Sequence, residues 1–190
     1  EKEQIMKRIL GIVGSPRING NTHILVQRIL DGARESGAHV DLMLLKGLTI
    51  RECDGCHACW KGKNCCKNDD MIEVYPRLAD SDVLVFGTPV YWYGPTALIK
   101  AFLDRFVYFN TPENRRRIAG HGAVLAIPFE ETNPDTAALT VAMCEKSFAY
   151  LQMPLPGKVL APGVGERGEM LSKPDILNEA HQLGKRLALN

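Results

Sequence analysis

"ILGIVGSPRINGNTHILVQRIL", Ile9 to Leu30, sets three kinds of segment end to end: an apolar run, a polar turn-rich loop and an amphipathic stretch. The run Ile9–Val13 has the composition of a strand buried on both faces. In the segment after the loop, Leu25, Ile29 and Ala33 stand one helical turn apart. The same alternation continues along the chain. Strands are expected near 7–13, 38–45, 82–87, 120–127 and 158–161. Helices are expected at 22–36, 69–79, 95–108, 134–150 and 174–188. Asp69 and Asp70 open the second helix, Leu98, Ala101, Phe102 and Phe106 share a face of the third, and Ile176, Ala180, Leu183 and Leu187 share a face of the last. Five strand-to-helix alternations with mostly continuous apolar strands imply an α/β fold, a doubly wound five-stranded parallel sheet with helices on both faces. Such sheets bind ligands at the carboxyl ends of their strands, where the winding direction reverses.

The 190 residues are 45% hydrophobic with a formal charge of +1, and no shift in composition divides them. One domain over 1–190 is expected, carrying a cysteine-rich loop at 51–68. No apolar run reaches the roughly 18–20 residues of a membrane span, and "EKEQIMKRIL" leads into a strand rather than a signal sequence, so the expected location is cytoplasmic, away from membranes. The six cysteines then read as thiols or metal ligands rather than disulfides. The near-neutral charge argues against a nucleic-acid partner.

The loop Gly14–Thr22 therefore sits where a ligand is expected. Ser15, Asn19, Asn21 and Thr22 offer hydroxyl and amide donors, Gly14 and Gly20 permit tight turns, and the following helix points free N–H groups at the loop. This is a phosphate cradle without the Gly-Lys-Ser/Thr ending of a nucleotide P-loop or the G-x-G-x-x-G of a dinucleotide site. The competing reading is an ordinary polar turn with Asn21 or Thr22 as N-cap. A second loop bears on the choice. "GTPVYWYGPTALIKAFLDR", Gly87 to Arg105, is stiffened by Pro89, turns at Gly94 and places Tyr91, Trp92 and Tyr93 where the crevice opens. A flat ligand suits these rings; packing in a core or an interface is the alternative. Three consecutive aromatics cannot all face one core, so at least one lines the crevice or a subunit contact.

With both loops in view the chain resembles the flavodoxin-like NAD(P)H-dependent FMN reductase family over nearly its whole length. The resemblance implies that the FMN phosphate rests on Ser15, Arg17, Asn19, Gly20, Asn21 and Thr22. It implies that the flavin ring lies along Pro89, Val90, Tyr91, Trp92, Tyr93 and Gly94, with a third wall at Phe129 and Glu130 of "IPFEETN". Arg17 is the one cation of the phosphate loop, which suits a terminal monophosphate better than a pyrophosphate, hence FMN rather than FAD. The flavin carries the chemistry, so no catalytic side chain is required, and NAD(P)H is the implied co-substrate. The helix at 95–108 corresponds to a dimer-forming helix, which implies a homodimer or homotetramer with Trp92 or the Phe102/Phe106 region near the contact.

"CDGCHACWKGKNCCKNDDM" begins at Cys53. Cys53, Cys56 and Cys59 stand two residues apart, and Cys65 or Cys66 follows after a short turn, a spacing that lets four thiolates converge. The segment resembles the iron–sulfur flavoproteins, a branch of the same group with a compact C-x2-C-x2-C-x5-C motif. Cys53, Cys56, Cys59 and Cys65 match that motif and imply a [4Fe-4S] cluster. A structural zinc site and plain reduced thiols remain open. Lys61, Lys63 and Lys67 would offset the charge of an anionic cluster, or form a solvated basic loop. Cys144 reads as core and Arg115–Arg117 as a solvated run.

The function expected is an FMN-dependent oxidoreductase. It passes electrons from NAD(P)H or reduced ferredoxin to a quinone, another flavin or a different small-molecule acceptor. The alternatives are a non-catalytic electron carrier of the flavodoxin type and a metal-bound regulatory module. Carriers of that type are acidic so as to dock basic partners, and this chain is not.

Overall fold

The computed structural model describes residues 6–189; the expected lead from Glu1–Ile5 into the first strand lies outside the described residues, as does Asn190. The elements run β1 (Arg8–Val13), α1 (Asn21–Glu35), β2 (His39–Leu44), α2 (Met71–Ala79), β3 (Val83–Gly87), β4 (Val90–Tyr91), β5 (Gly94–Pro95), α3 (Ala97–Asp104), α4 (Pro112–Arg115), β6 (Gly122–Pro128), α5 (Ala138–Tyr150), β7 (Gly157–Ala161) and α6 (Pro174–Leu189). Five strands form one parallel sheet in the order β2-β1-β3-β6-β7, and β4 and β5 form a small antiparallel hairpin. The chain winds outward from β1 in both directions, so the crevice opens between the carboxyl ends of β1 and β3. Val13 and Gly87 end those strands in register.

Alternation along each strand builds two apolar layers. Leu10, Ile12, Leu84, Phe86, Leu125 and Ile127 face α2, α3 and α5. Ile9, Val13, Val83, Val85, Val124 and Ala126 face α1 and α6. Helices α1 and α6 meet backbone to backbone. A Cβ on Gly184 would lie 1.9 Å from the Ile29 carbonyl oxygen, and one on Gly32 would lie 2.0 Å from that of His181. The edge strand β2 exposes part of one face, whereas β3 and β6 are buried throughout.

Two expected helices differ from the structure. In place of a single helix over 95–108, Pro95 closes the hairpin, α3 ends at Asp104 and Arg105–Phe109 winds as a tighter three-residue-per-turn helix. That repeat of three puts Phe106 and Phe109 on one line, and both enter the core beside Phe86 and Phe102. Phe102 and Phe106 are therefore core residues of the single chain. The segment 134–150 likewise begins with a short tight turn, Pro134–Ala137, before α5. Among the described residues no helix is long and apolar enough to cross a membrane.

Candidate functional site

The loop after β1 is tied down by buried threonines. Thr96 caps α3 by accepting from the Ile99 N–H, donates its hydroxyl to the Gly14 carbonyl, and its own N–H donates to Thr88 Oγ at 3.2 Å. The Gly14 N–H donates to the Gly87 carbonyl at 2.8 Å, so the two central loops leave the sheet as one unit. Gly20 caps α1 with no side-chain bond, and the N–H groups of Asn21, Thr22 and His23 have no partner among the described residues. These first-turn donors, at the positive end of the helix dipole, make a site for an anion.

Four loops converge there on one open cleft. Ser15, Arg17, Asn21 and Thr22 come from the β1 loop, Pro89, Val90 and Tyr91 from β3 and the hairpin, Pro128, Phe129 and Glu130 from the end of β6, and Val164 and Gly165 from the loop after β7. Ser15 and Thr22 are buried. The Arg17 guanidinium donates to the Gly165 carbonyl at 2.7 Å and keeps other donors of its fork available. Asn19 holds a left-handed backbone (φ 54°) at the loop tip.

Four of the expected residues have other roles or places. The Asn21 side chain donates to the carbonyls of Val164 and Glu166, at 3.3 and 2.8 Å, and its oxygen accepts from the Met170 N–H at 3.1 Å. It latches the β7 loop to the cleft and has only its backbone N–H left to offer. Trp92 and Tyr93 do not line the cleft. They form the tip of the β4–β5 hairpin, both with left-handed backbones (φ 49° and 60°), and Trp92 is 96% exposed. Left-handed geometry at an ordinary residue costs about 1–2 kcal/mol, so this two-residue turn holds its aromatics outward at some expense in stability. Thr140 on α5 anchors the tip by donating to the Tyr93 carbonyl at 3.2 Å. Gly94 closes the turn outside the cleft lining. The wall at Val164–Gly165 has as its only sequence signal the three glycines of "PGVGERG", which any turn would share.

A second pocket gathers Cys53, Cys56, Cys59, Cys65 and Cys66 with Tyr75, Arg105 and Tyr108. The loop bearing them is closed at its neck. Asp70 accepts from the Thr49 N–H at 2.6 Å and Asp69 from the Arg51 N–H at 3.0 Å. Arg105, buried at 1% exposure, pairs through two nitrogens with the buried Asp69 carboxylate, donates to the Arg51 carbonyl at 2.9 Å and reaches Cys65 Sγ at 3.1 Å. Burial opposes the charge on Asp69, but the bonds from Arg105 and the Arg51 N–H outweigh it and hold the carboxyl below its ordinary value. Burial first, and then the neighbouring sulfurs, push the Cys59 thiol up. Trp60 stacks on His57 at 4.1 Å and donates to the Val107 carbonyl at 3.1 Å, pinning the loop to the turn after α3. Cys65 turns toward Arg105, whereas Cys66 lies 3.1 Å from Cys56 sulfur to sulfur. Cys144 is buried in the core, which pushes its thiol up to about 12.

Five sulfurs around one pocket with a fixed guanidinium suit an anionic polynuclear centre. A single tetrahedral zinc ion would hold its four sulfurs about 3.8 Å apart. Among the described residues the only close metal-ligating trio is Asp54, Cys56 and Cys66, all exposed, and it is not the expected quartet.

Residues 7–162 match the model of the family described as NADPH-dependent FMN reductase. An iron–sulfur flavoprotein of Methanocaldococcus jannaschii is 34% identical over 188 residues, covering 95% of this chain and 95% of its own. One from Archaeoglobus fulgidus is 28% identical over 189 residues, covering 95% and 93%. In three dimensions the chain superposes on an NAD(P)H:quinone oxidoreductase from Methanothermobacter marburgensis with a TM-score of 0.75 at 18% identity, covering 96% of each chain, which shows the shared fold. The anion site at the switch point, the cleft beside it and these matches agree: the chain belongs to the NADPH-dependent FMN reductase family, in its iron–sulfur flavoprotein branch, and is an FMN-dependent oxidoreductase.

Proposed function

We propose that this enzyme holds FMN in the four-walled cleft, holds a [4Fe-4S] cluster on Cys53, Cys56, Cys59 and Cys65, and moves electrons from NAD(P)H or a reduced ferredoxin to a quinone, a free flavin or another small acceptor. The observation that carries the reading is the convergence of the unpaired α1 N–H groups, Ser15, Thr22 and Arg17 at one end of a cleft walled further along by Pro89, Val90, Tyr91 and Phe129. FMN bound there supplies hydride acceptance and electron release. The chain's own part is positioning. Ser15, Thr22 and the first-turn N–H groups fix the phosphate, Arg17 adds charge, and Asn21 keeps the Val164–Gly165 wall in place. Pro89–Tyr91 and Phe129 bound the ring and exclude water from its face. The cluster would supply one-electron transfer, with Arg105 offsetting thiolate charge at Cys65.

Arg17→Ala should weaken FMN binding by about 10- to 100-fold, the loss of one charge-assisted bond of about 1.5–3 kcal/mol. Riboflavin, lacking the phosphate, should bind within a few-fold of its wild-type affinity; equal losses for both ligands in fluorescence titration would remove the phosphate assignment. For the cluster, Cys59→Ser protein reconstituted anaerobically with iron and sulfide should lose its iron and broad cluster absorbance while keeping the flavin bands. Wild-type protein that takes up zinc or no metal under the same conditions would refute the cluster and leave the FMN site intact.

We also place a subunit contact at the hairpin tip. Trp92, Tyr93 and the neighbouring Leu139 are exposed apolar side chains joined through the Thr140 anchor, and strained aromatics held in solvent call for a partner surface. Light scattering should report a homodimer or homotetramer for FMN-loaded protein, and a monodisperse FMN-bound monomer would contradict the contact.

A further inference from the structure

Cys66 stands outside the four-cysteine pattern, yet its sulfur lies 3.1 Å from that of Cys56. Both side chains are exposed and line the same pocket. A second contact spans the same gap: Asp54 accepts from the Cys56 N–H at 3.3 Å and pairs with Lys67, the residue after Cys66, at 2.9 Å. The two arms of the loop are therefore held side by side where the two thiols meet. A disulfide needs the sulfurs at about 2.05 Å. The arm bearing Cys56 has room to supply that approach, since Gly55 carries a left-handed backbone with open space around it. Cys59 is buried and the Cys65 sulfur accepts from Arg105, so neither competes as a partner.

We propose that Cys56 and Cys66 form a site of reversible oxidation by hydroperoxides: in the cluster-free protein the pair becomes a disulfide that closes the cysteine pocket to iron until a thiol reopens it. The second half rests on the assignment of Cys56 as a cluster ligand. One sulfur attacks the outer peroxide oxygen. The O–O bond breaks, leaving an alcohol, or water from hydrogen peroxide, and a sulfenic acid. The other sulfur then attacks the sulfenic sulfur, the S–S bond forms, and the expelled hydroxide takes the second thiol's proton and leaves as water. The two sulfurs together lose two electrons and the peroxide gains them. Two equivalents of a small thiol reverse the change by exchange.

The test uses the full chain with FMN bound, stripped of iron anaerobically and treated with one equivalent of hydrogen peroxide. Wild type should lose about 2 Da, and peptide mapping should join Cys56 to Cys66. Cys66→Ser should form no such link and instead gain about 16 Da at Cys56. On addition of ferrous iron and sulfide, oxidised wild type should take up at least about tenfold less iron than reduced wild type, with dithiothreitol restoring it, while reduced Cys66→Ser should reconstitute like reduced wild type. A link elsewhere, no link in wild type, or a stoichiometric zinc ion on the pair that blocks oxidation would overturn the proposal. A mapped Cys56–Cys66 link in protein that takes up no iron even when reduced would uphold the oxidation site, remove the gating, and count against the cluster itself.

Discussion

Arg105→Gln should destabilise the protein by about 3–5 kcal/mol, because it strips the guanidinium from a carboxylate whose side chain is fully buried. For a chain of this size that is a fall in Tm of about 6–20 °C. The pH dependence separates this cause from lost packing. In the wild type Asp69 titrates below its ordinary value of 3.8, so its contribution is complete above that pH and is lost as pH falls through the lower, folded-state value. In the variant only the Arg51 and Met71 N–H bonds oppose burial, so the folded-state value rises relative to the wild type and Asp69 contributes less stability as pH climbs through the carboxylate range. The gap between the two proteins should be widest near neutrality and narrow in acid. An Arg105→Met, Asp69→Leu double variant should recover much of the loss, since removing both charges avoids the unpaired ion. Denaturant unfolding from pH 3 to 7 measures all three; a gap independent of pH would mean that the ion pair is not what closes the neck of the cysteine loop.

Gly184→Ala should cost about 3 kcal/mol through a different mechanism. The added methyl would lie 1.9 Å from the Ile29 carbonyl oxygen and 2.9 Å from the Ala33 nitrogen, both helical backbone atoms that cannot rotate away. Only separation of α6 from α1 relieves the clash, and that opens the layer containing Val26, Ile29, Leu183 and Leu187. Thermal unfolding should show a fall in Tm of about 6–12 °C. Gly47→Ala, at an open position without a left-handed backbone, should stay within about 0.5 kcal/mol of wild type and serves as the control. A Gly184→Ala protein as stable as that control would show that the two helices do not meet at the glycines.

What the sequence by itself determined is local in origin. Five largely apolar runs marked five strands, and those of β3 and β6 are unbroken because both their faces are buried. The loop Gly14–Thr22 lay between the first strand and its helix, so its place at the switch point followed from chain order alone. The spacing of Cys53, Cys56 and Cys59 keeps three sulfurs on one short loop whatever the rest of the chain does. Even within these limits the end of α3 escaped, since the apolar spacing of Phe102 and Phe106 is shared by an α-helix and by the tighter turn that forms.

The tertiary structure alone decided which side chains meet. Asn21 reads as a phosphate donor in its loop, but its amide bonds residues 143 to 149 positions away, and no local pattern announces that partner. Trp92 and Tyr93 sit in an aromatic run that would serve a flavin wall equally well, and the two-residue turn sends them to solvent. Arg105 ends an apparently ordinary helix and reaches Asp69 and Cys65 only because α3 packs against the neck of the cysteine loop. Cys66 pairs with Cys56 once that loop folds back on itself. Each of these contacts closes a loop of chain between distant or oppositely directed segments, and the free energy that selects it comes from packing the whole core rather than from the residues on either side.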